Sequence, residues 1–211
     1  MSDTLSDLTI FYTHQLHGDL ALLPRLHTFL QQLKREYGPK PLLLDLGEAC
    51  AADVWHCDLT NGRSTLVALD GLGYHAVNIT GFLGESQREQ LQNTLSASMI
   101  DASHAWRYHV PPVRDEGILI AATEAPALRL CIVAAPADET KLEGRTLRLA
   151  SVEKGQVGII QLDLQTMTIA LQTVVDLPPK LKPDATIVAA IEFIEDEARF
   201  FQRKRDDQGG A

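Results

Sequence analysis

The chain has 211 residues, 45% of them hydrophobic and 22% charged, enough for one domain to bury a full core without disulfides or metals. A formal net charge of −9 and a pI of about 5.2 set it against phosphate backbones and anionic lipid, so neither nucleic acid nor membrane is an expected partner. The odd, small set of cysteines (Cys50, Cys57 and Cys131) argues against a disulfide framework. With no basic or apolar leader and no bilayer-length apolar run, the expected compartment is the cytoplasm.

Leu8 to Tyr12 reads as a short buried strand, followed by a polar loop from Thr13 to Asp19. Leu22, Leu23, Leu26, Phe29, Leu30 and Leu33 recur at helical spacing, with Lys34 and Arg35 in the last turn and Gly38-Pro39 as the stop. Leu42 to Leu46 is a second buried strand, and a βαβ unit of this kind makes the two strands parallel. Asn61-Gly62 is a turn, Ser64 to Leu72 a helix capped by Gly73, and His75 to Ile79 a third strand. Ser86-Gln87-Arg88-Glu89 has the form of a capping box opening a helix to about Met99.

Pro111-Pro112 breaks the chain, and β patterns follow: Ile118 to Ala122, Leu128 to Ala134, Thr146 to Ser151, Val157 to Leu164 and Met167 to Val175. The last two read as a hairpin turning at Gln165-Thr166. Pro178, Pro179 and Pro183 form a stiff connector, and Asp184 can cap an amphipathic helix over 184–204. Residues 205–211 read as a disordered tail, and the whole of 1–211 as a single domain.

Cys50, His56 and Cys57 invite a metal reading, but six residues between the cysteines is no zinc-knuckle spacing, and two buried thiols explain them as well. His104, Trp106, Tyr108 and His109 fall in an irregular stretch that packs over the sheet or lines a pocket. Ser64 and Ser86 read as helix caps, and Cys131, in an apolar strand, as inert.

The segments YTHQLHGDLALLPRL, LLLDLGEA and LTNGRSTLVALDGLGYHAVNI come in an order and spacing that resembles the metallophosphoesterase domain of the 5′-nucleotidases. That family shows a T-N-D-x-H-G loop, a strand ending in G-D, a helix running into L-G-Y-D-A-V, and then G-N-H-E. The resemblance is best over 1–83, and LASVEKGQVGIIQLDL through DLPPKLKPD is similar to the domain's closing strands. It implies an α/β fold: a metallophosphoesterase-like α/β sandwich of mixed sheets with flanking helices. The family's second, nucleotide-recognising domain is expected to be missing.

The resemblance also implies a two-metal site on the loops after the strands, where paired ions clamp a phosphate and acidify a water. Carried over residue by residue, the first aspartate falls on Gln15, the loop histidine on His17 and the bridging aspartate on Glu48. An amide is a poor ligand for a hard cation, and glutamate is one methylene longer than aspartate. The G-N-H-E motif falls on Thr80-Gly81-Phe82-Leu83, and no histidine after His109 can supply the later ones. The expected residue of the site is therefore metal ligation by His17, Glu48 and Gln15, with His14, Asp45 and Thr80 as ligand-binding neighbours and Phe82 and Leu83 filling the cleft.

The expectation is a homologue without dinuclear catalysis and without a cofactor, binding a protein partner or a small phosphorylated ligand, with a homo-oligomer as one form it can take. The alternative is an altered phosphoesterase using a single divalent metal (Mn, Zn or Mg) on His17 and Glu48.

Overall fold

The computed structural model describes residues 7–109, 117–127 and 129–209. Four strands, β1 (Asp7–Thr13), β2 (Leu42–Asp45), β3 (Ala76–Asn78) and β4 (Ser98–Ile100), run parallel, as the βαβ reading requires. The hairpin β10 (Gln156–Asp163) and β11 (Thr168–Asp176) adds antiparallel to β1, giving a six-stranded sheet in the order β11-β10-β1-β2-β3-β4. A second sheet of five strands is ordered β5-β6-β7-β9-β8: β5 (Trp106–Tyr108), β6 (Ile118–Ala121), β7 (Cys131–Ala137), β8 (Lys141–Glu143) and β9 (Thr146–Ala150).

Strand alternation divides the interior into two cores. Phe11, Leu43, Val77 and Ile159 face α1 (Leu23–Tyr37), α3 (Arg63–Leu72) and α5 (Ala185–Gly209). Ile10, Tyr12, Leu42, Leu44 and Ile160 face Ile118, Ile120, Ile132 and Leu147 of the second sheet. Each of these fully buried side chains contributes about 1.5–3 kcal/mol over its exposed state. Gly158 sits opposite Tyr12, where even a Cβ would come within 2.1 Å of the ring, so the inter-sheet core needs glycine there.

The hairpin turns as expected, with Asp163 Oδ1 accepting from the Gln165 and Thr166 N–H groups. Asp184 caps α5 through the N–H groups of Thr186 and Ile187. Gly73 ends α3 in the left-handed conformation.

Several expectations are corrected. The helix expected to reach Met99 is only α4 (Glu85–Leu91); Asp70 Oδ1 then captures the Ser96 and Ala97 N–H groups and turns the chain into β4. No capping box forms, because Gly84 is the N-cap and Ser86 lies within the helix. Ser64 is not a cap either: it is buried and bonded to His56 and Thr60. The irregular stretch around Trp106 contains a strand, β5, and α2 (Trp55–Thr60) and β8 were not foreseen. The strand expected from Leu128 begins at Cys131, and Leu128 itself lies outside the described residues, as does Pro111-Pro112. The tail expected to be disordered is helical to Gly209, with Arg205 reaching Asp58 at 2.8 Å. Among the described residues no helix is long and apolar enough to cross a membrane.

Candidate functional site

The parallel strands deliver three loops to one rim, the place where an α/β sheet presents its ligand groups. The loop after β1 and the loop after β2 continue side by side beyond the strands. Gln15 N–H donates to Gly47 O, His17 N–H to Glu48 O and Gly18 N–H to Ala49 O. Gln15, His17 and Glu48 are three of the five described non-glycine residues with left-handed backbone. Such a conformation costs about 1–3 kcal/mol per residue, so strain is concentrated at this rim.

His17 and Glu48 meet here, Nε2 to Oε2 at 3.0 Å, with side chains 46% and 57% exposed. At that exposure the pair stabilises the fold by at most about 1 kcal/mol. His14 lies beneath them, buried, its Nδ1 2.9 Å from Ser151 Oγ at the end of β9. Burial holds the His14 imidazole pKa below its ordinary value, His17 reinforcing that direction and Glu48 and a hydrogen bond to the Val152 backbone opposing it. Gln15 is half-buried on the same loop, held there by its backbone.

Asp45 is wholly buried and accepts from Thr13 Oγ1 at 2.9 Å and from Gly47 N–H at 3.0 Å. Burial raises its pKa to about 7, those two donors opposing, with a smaller push from Glu48. Its surroundings therefore hold it as a structural acid inside the strand, hydrogen-bonded as a buried polar group must be. Thr80 is exposed at the end of β3, tied by its N–H to Asn78 Oδ1.

The cleft-filling expectation is corrected in part. Phe82 packs on Gly62, where an added Cβ would lie 2.7 Å from the ring, while His17 and Glu48 stay open to solvent.

The cysteine expectation is corrected outright. Cys50 and Cys57 form a disulfide, leaving Cys131 as the free, buried thiol. The intervening loop brings their Cα atoms to 5.9 Å, within bonding range, which an odd cysteine count cannot reveal. The bridge packs on Gly18, whose Cβ, if present, would lie 2.8 Å from Cys57 Sγ. His56 uses both ring nitrogens structurally, toward Ser64 Oγ and Gly18 O. No metal reading of this cluster survives.

Sequence reasoning missed one grouping. Glu85, Asp101 and His104 bring three ligand-type atoms within 4.8 Å of one another at the β4 edge. Each already has a partner. Glu85 is bound by Arg88, and Asp101 Oδ1 accepts from the Ser103 and His104 backbones and faces His104 Nδ1 at 3.0 Å. The Asp-x-x-His spacing was the one signal for it.

No family model matches the sequence, and no curated protein matches it. Solved structures do. A NAD nucleotidase of Haemophilus influenzae (NadN) superposes with a TM-score of 0.61 at 11% identity, over 92% of this chain and 60% of its own. The sulfate thiohydrolase SoxB of Thermus thermophilus gives 0.62 at 12% identity, over 92% and 61%. A Mycoplasma pneumoniae phosphatase gives 0.52 at 9% identity, over 87% and 96%. The fold is metallophosphoesterase-like. This chain spans about three-fifths of the length of the first two proteins, and at these identities the likeness is one of fold.

The donor set can be tested against the two metals this fold implies. Two divalent cations need several anionic and imidazole ligands in close array. The rim offers one exposed carboxylate and one exposed imidazole turned toward each other, a buried imidazole (His14) held by Ser151, an amide, and a buried acid already hydrogen-bonded. Position 82 carries a phenyl ring and position 83 an aliphatic chain. These residues do not fit a dinuclear centre.

Proposed function

We propose that this chain is a non-catalytic metallophosphoesterase-like protein that works by binding a protein or a small phosphorylated ligand. The observation behind the reading is the mutual pairing of His17 and Glu48, the two ligand-type residues exposed at the rim, where a phosphoesterase would hold two ions. A second reading rests on the same two residues, which stand together and open to solvent above the buried His14. On that reading, one divalent ion (Mn, Zn or Mg) would draw on His17 and Glu48 for an altered phosphoesterase activity.

Elemental analysis of the purified protein, then assay of p-nitrophenyl phosphate and nucleoside monophosphates with added Mn²⁺, separates the two. The expected result is sub-stoichiometric metal and no turnover. Bound metal with turnover that disappears in His17→Ala and Glu48→Ala would establish the second reading and end the first. The compartment is read from the cysteines, since a cytoplasmic thiol pool would hold Cys50 and Cys57 reduced. Rapid alkylation on cell lysis shows whether the pair is reduced in place.

A further inference from the structure

The Cys50–Cys57 bridge ties the rim covalently to α2, and its two ends differ in freedom. Cys57 lies within α2, which several bonds hold in place. His56 meets Ser64 Oγ at 2.7 Å and Gly18 O at 2.8 Å, Thr60 donates to Ser64 Oγ, and Arg205 reaches Asp58. Cys57 Sγ also backs on Gly18, where an added Cβ would lie 2.8 Å away. Cys50 instead lies between β2 and α2, in a stretch (46–54) that is neither helix nor strand.

That stretch carries Glu48. The N–H groups of Gln15, His17 and Gly18 join it to the loop after β1, and Gln15, His17 and Glu48 keep left-handed backbone there. Such conformations persist where their surroundings over-determine them. The bridge, two residues beyond Glu48, is one of the constraints that do so.

The surroundings of the sulfurs accommodate both redox states. Buried Thr65 places Oγ1 3.1 Å from Cys50 Sγ and 3.6 Å from Cys57 Sγ. A disulfide has no S–H, so the hydroxyl donates to it; once the bond is reduced, either thiol can donate to the hydroxyl. Both cysteines also line a surface pocket of about 220 Å³, beside Asp58, Asn61, Gly62 and Phe82, from which an outside thiol can approach. Two thiols cannot stay at bonding distance, so reduction parts the sulfurs. With Cys57 backed by Gly18 on a fixed helix, Cys50 is the end that moves.

We propose that Cys50–Cys57 is a thiol–disulfide switch for the rim: the oxidised bridge holds Glu48 against His17, and reduction frees 46–54 so that the pair parts while both sheets stay intact. The co-reactant is a dithiol. One of its thiolates attacks one sulfur of the bridge, and the other sulfur leaves as a thiolate and takes up a proton. The second thiol of the reductant then resolves the mixed disulfide, so the chain gains two electrons and two protons and the reductant departs as a disulfide. Control of ligand capture by this switch rests on the binding reading proposed above; the change in the rim does not.

Nuclear magnetic resonance of the full labelled chain, oxidised and then reduced with dithiothreitol, tests it without any ligand. On reduction, backbone order parameters at Glu48 and Cys50 are expected to fall below about 0.6, while Val77 and Ile159 in the large sheet stay near about 0.85. The His17 ring signals are expected to move to those of Glu48→Ala, in which the pair is absent, and to return on reoxidation. Cys50→Ser with Cys57→Ser should read as the reduced form with or without reductant, and Cys131→Ser should respond as the wild type does. A reduced rim identical to the oxidised one overturns the proposal. So does loss of order throughout the chain on reduction, which would make the bridge a structural staple. A chain that forms no bridge under oxidant, or a response that survives in the double serine variant, overturns it equally.

Discussion

Asp45 and Tyr74 both reach Thr13 Oγ1, in a buried chain that joins the ends of β1 and β2 to the loop leading into β3. Among the described residues no cation offsets the charge of the carboxyl, and burial outweighs its two donors, so its pKa rises from 3.8 to about 7. Between those values the native state keeps a proton that the unfolded chain has lost. Stabilisation from this residue is therefore full at low pH and falls as pH rises through the window, by about 1.4 kcal/mol per pH unit. His14, His56 and His75 act oppositely, since burial lowers each below 6.5 and their contribution is lost as pH falls below that value. Comparing the wild type with Asp45→Asn cancels the histidines. The amide still accepts from Gly47 and is neutral at every pH. Urea unfolding at about pH 5 and about pH 7.5 should show the variant gaining on the wild type as pH rises. Parallel profiles would remove the buried proton from the account.

At the scale of elements, the Cys50–Cys57 loop is the piece that braces the rim. It starts two residues after Glu48, packs on Gly18 next to His17, and leads into α2. Closing a loop of seven-residue separation constrains the unfolded chain by about 2–3 kcal/mol. Reduction, or Cys50→Ser with Cys57→Ser, is expected to lower unfolding free energy by that amount. Thiol titration of denatured, unreduced protein should count one thiol, from Cys131, and three after reduction. Three before reduction would refute the bridge.

This loop also marks where legibility stopped. The strands at 8–12, 42–46, 157–164 and 167–175 could be read because each combines an apolar run or alternation with turn residues. The capped helix at 184 could be read from its period. Strands β4, β5 and β8 could not, because three residues carry no period of their own and none of the three sits in a longer apolar run such as the one that betrayed β3. At the rim, His17 and Glu48 were found adjacent because two motif loops follow two neighbouring parallel strands. The disulfide, and the meeting of Glu85 with the local Asp101–His104 pair, depend on tertiary placement.

At the scale of the molecule, two sheets with different neighbours must be held in one register, and their cores are apolar and non-directional. Directional bonds between the layers supply that register. Asn78, buried at the end of β3, donates Nδ2–H to Leu46 O at 3.2 Å and to Ala134 O of β7 at 2.8 Å. Its Oδ1 accepts from Thr80 N–H, so every polar atom of the amide is used. One side chain thus ties the β2 loop, the β3 loop and the smaller sheet together. His14 to Ser151 is a second such tie, from the β1 loop to the end of β9. Asn78→Asp leaves the acceptor for Thr80 in place but sets a carboxylate oxygen against two carbonyl oxygens. Loss of both donors in a buried site is expected to cost about 2–4 kcal/mol. Asn78→Ser, which keeps one short donor, should cost less. Urea unfolding followed by tryptophan fluorescence checks both, since Trp106 lies in the smaller sheet and Trp55 on the helical side of the larger one. If the amide sets the register, Asn78→Asp lowers the midpoint and separates the fluorescence transition from the loss of far-ultraviolet dichroism, because the smaller sheet loosens first. Coincident, unshifted transitions would mean that apolar packing alone aligns the two sheets.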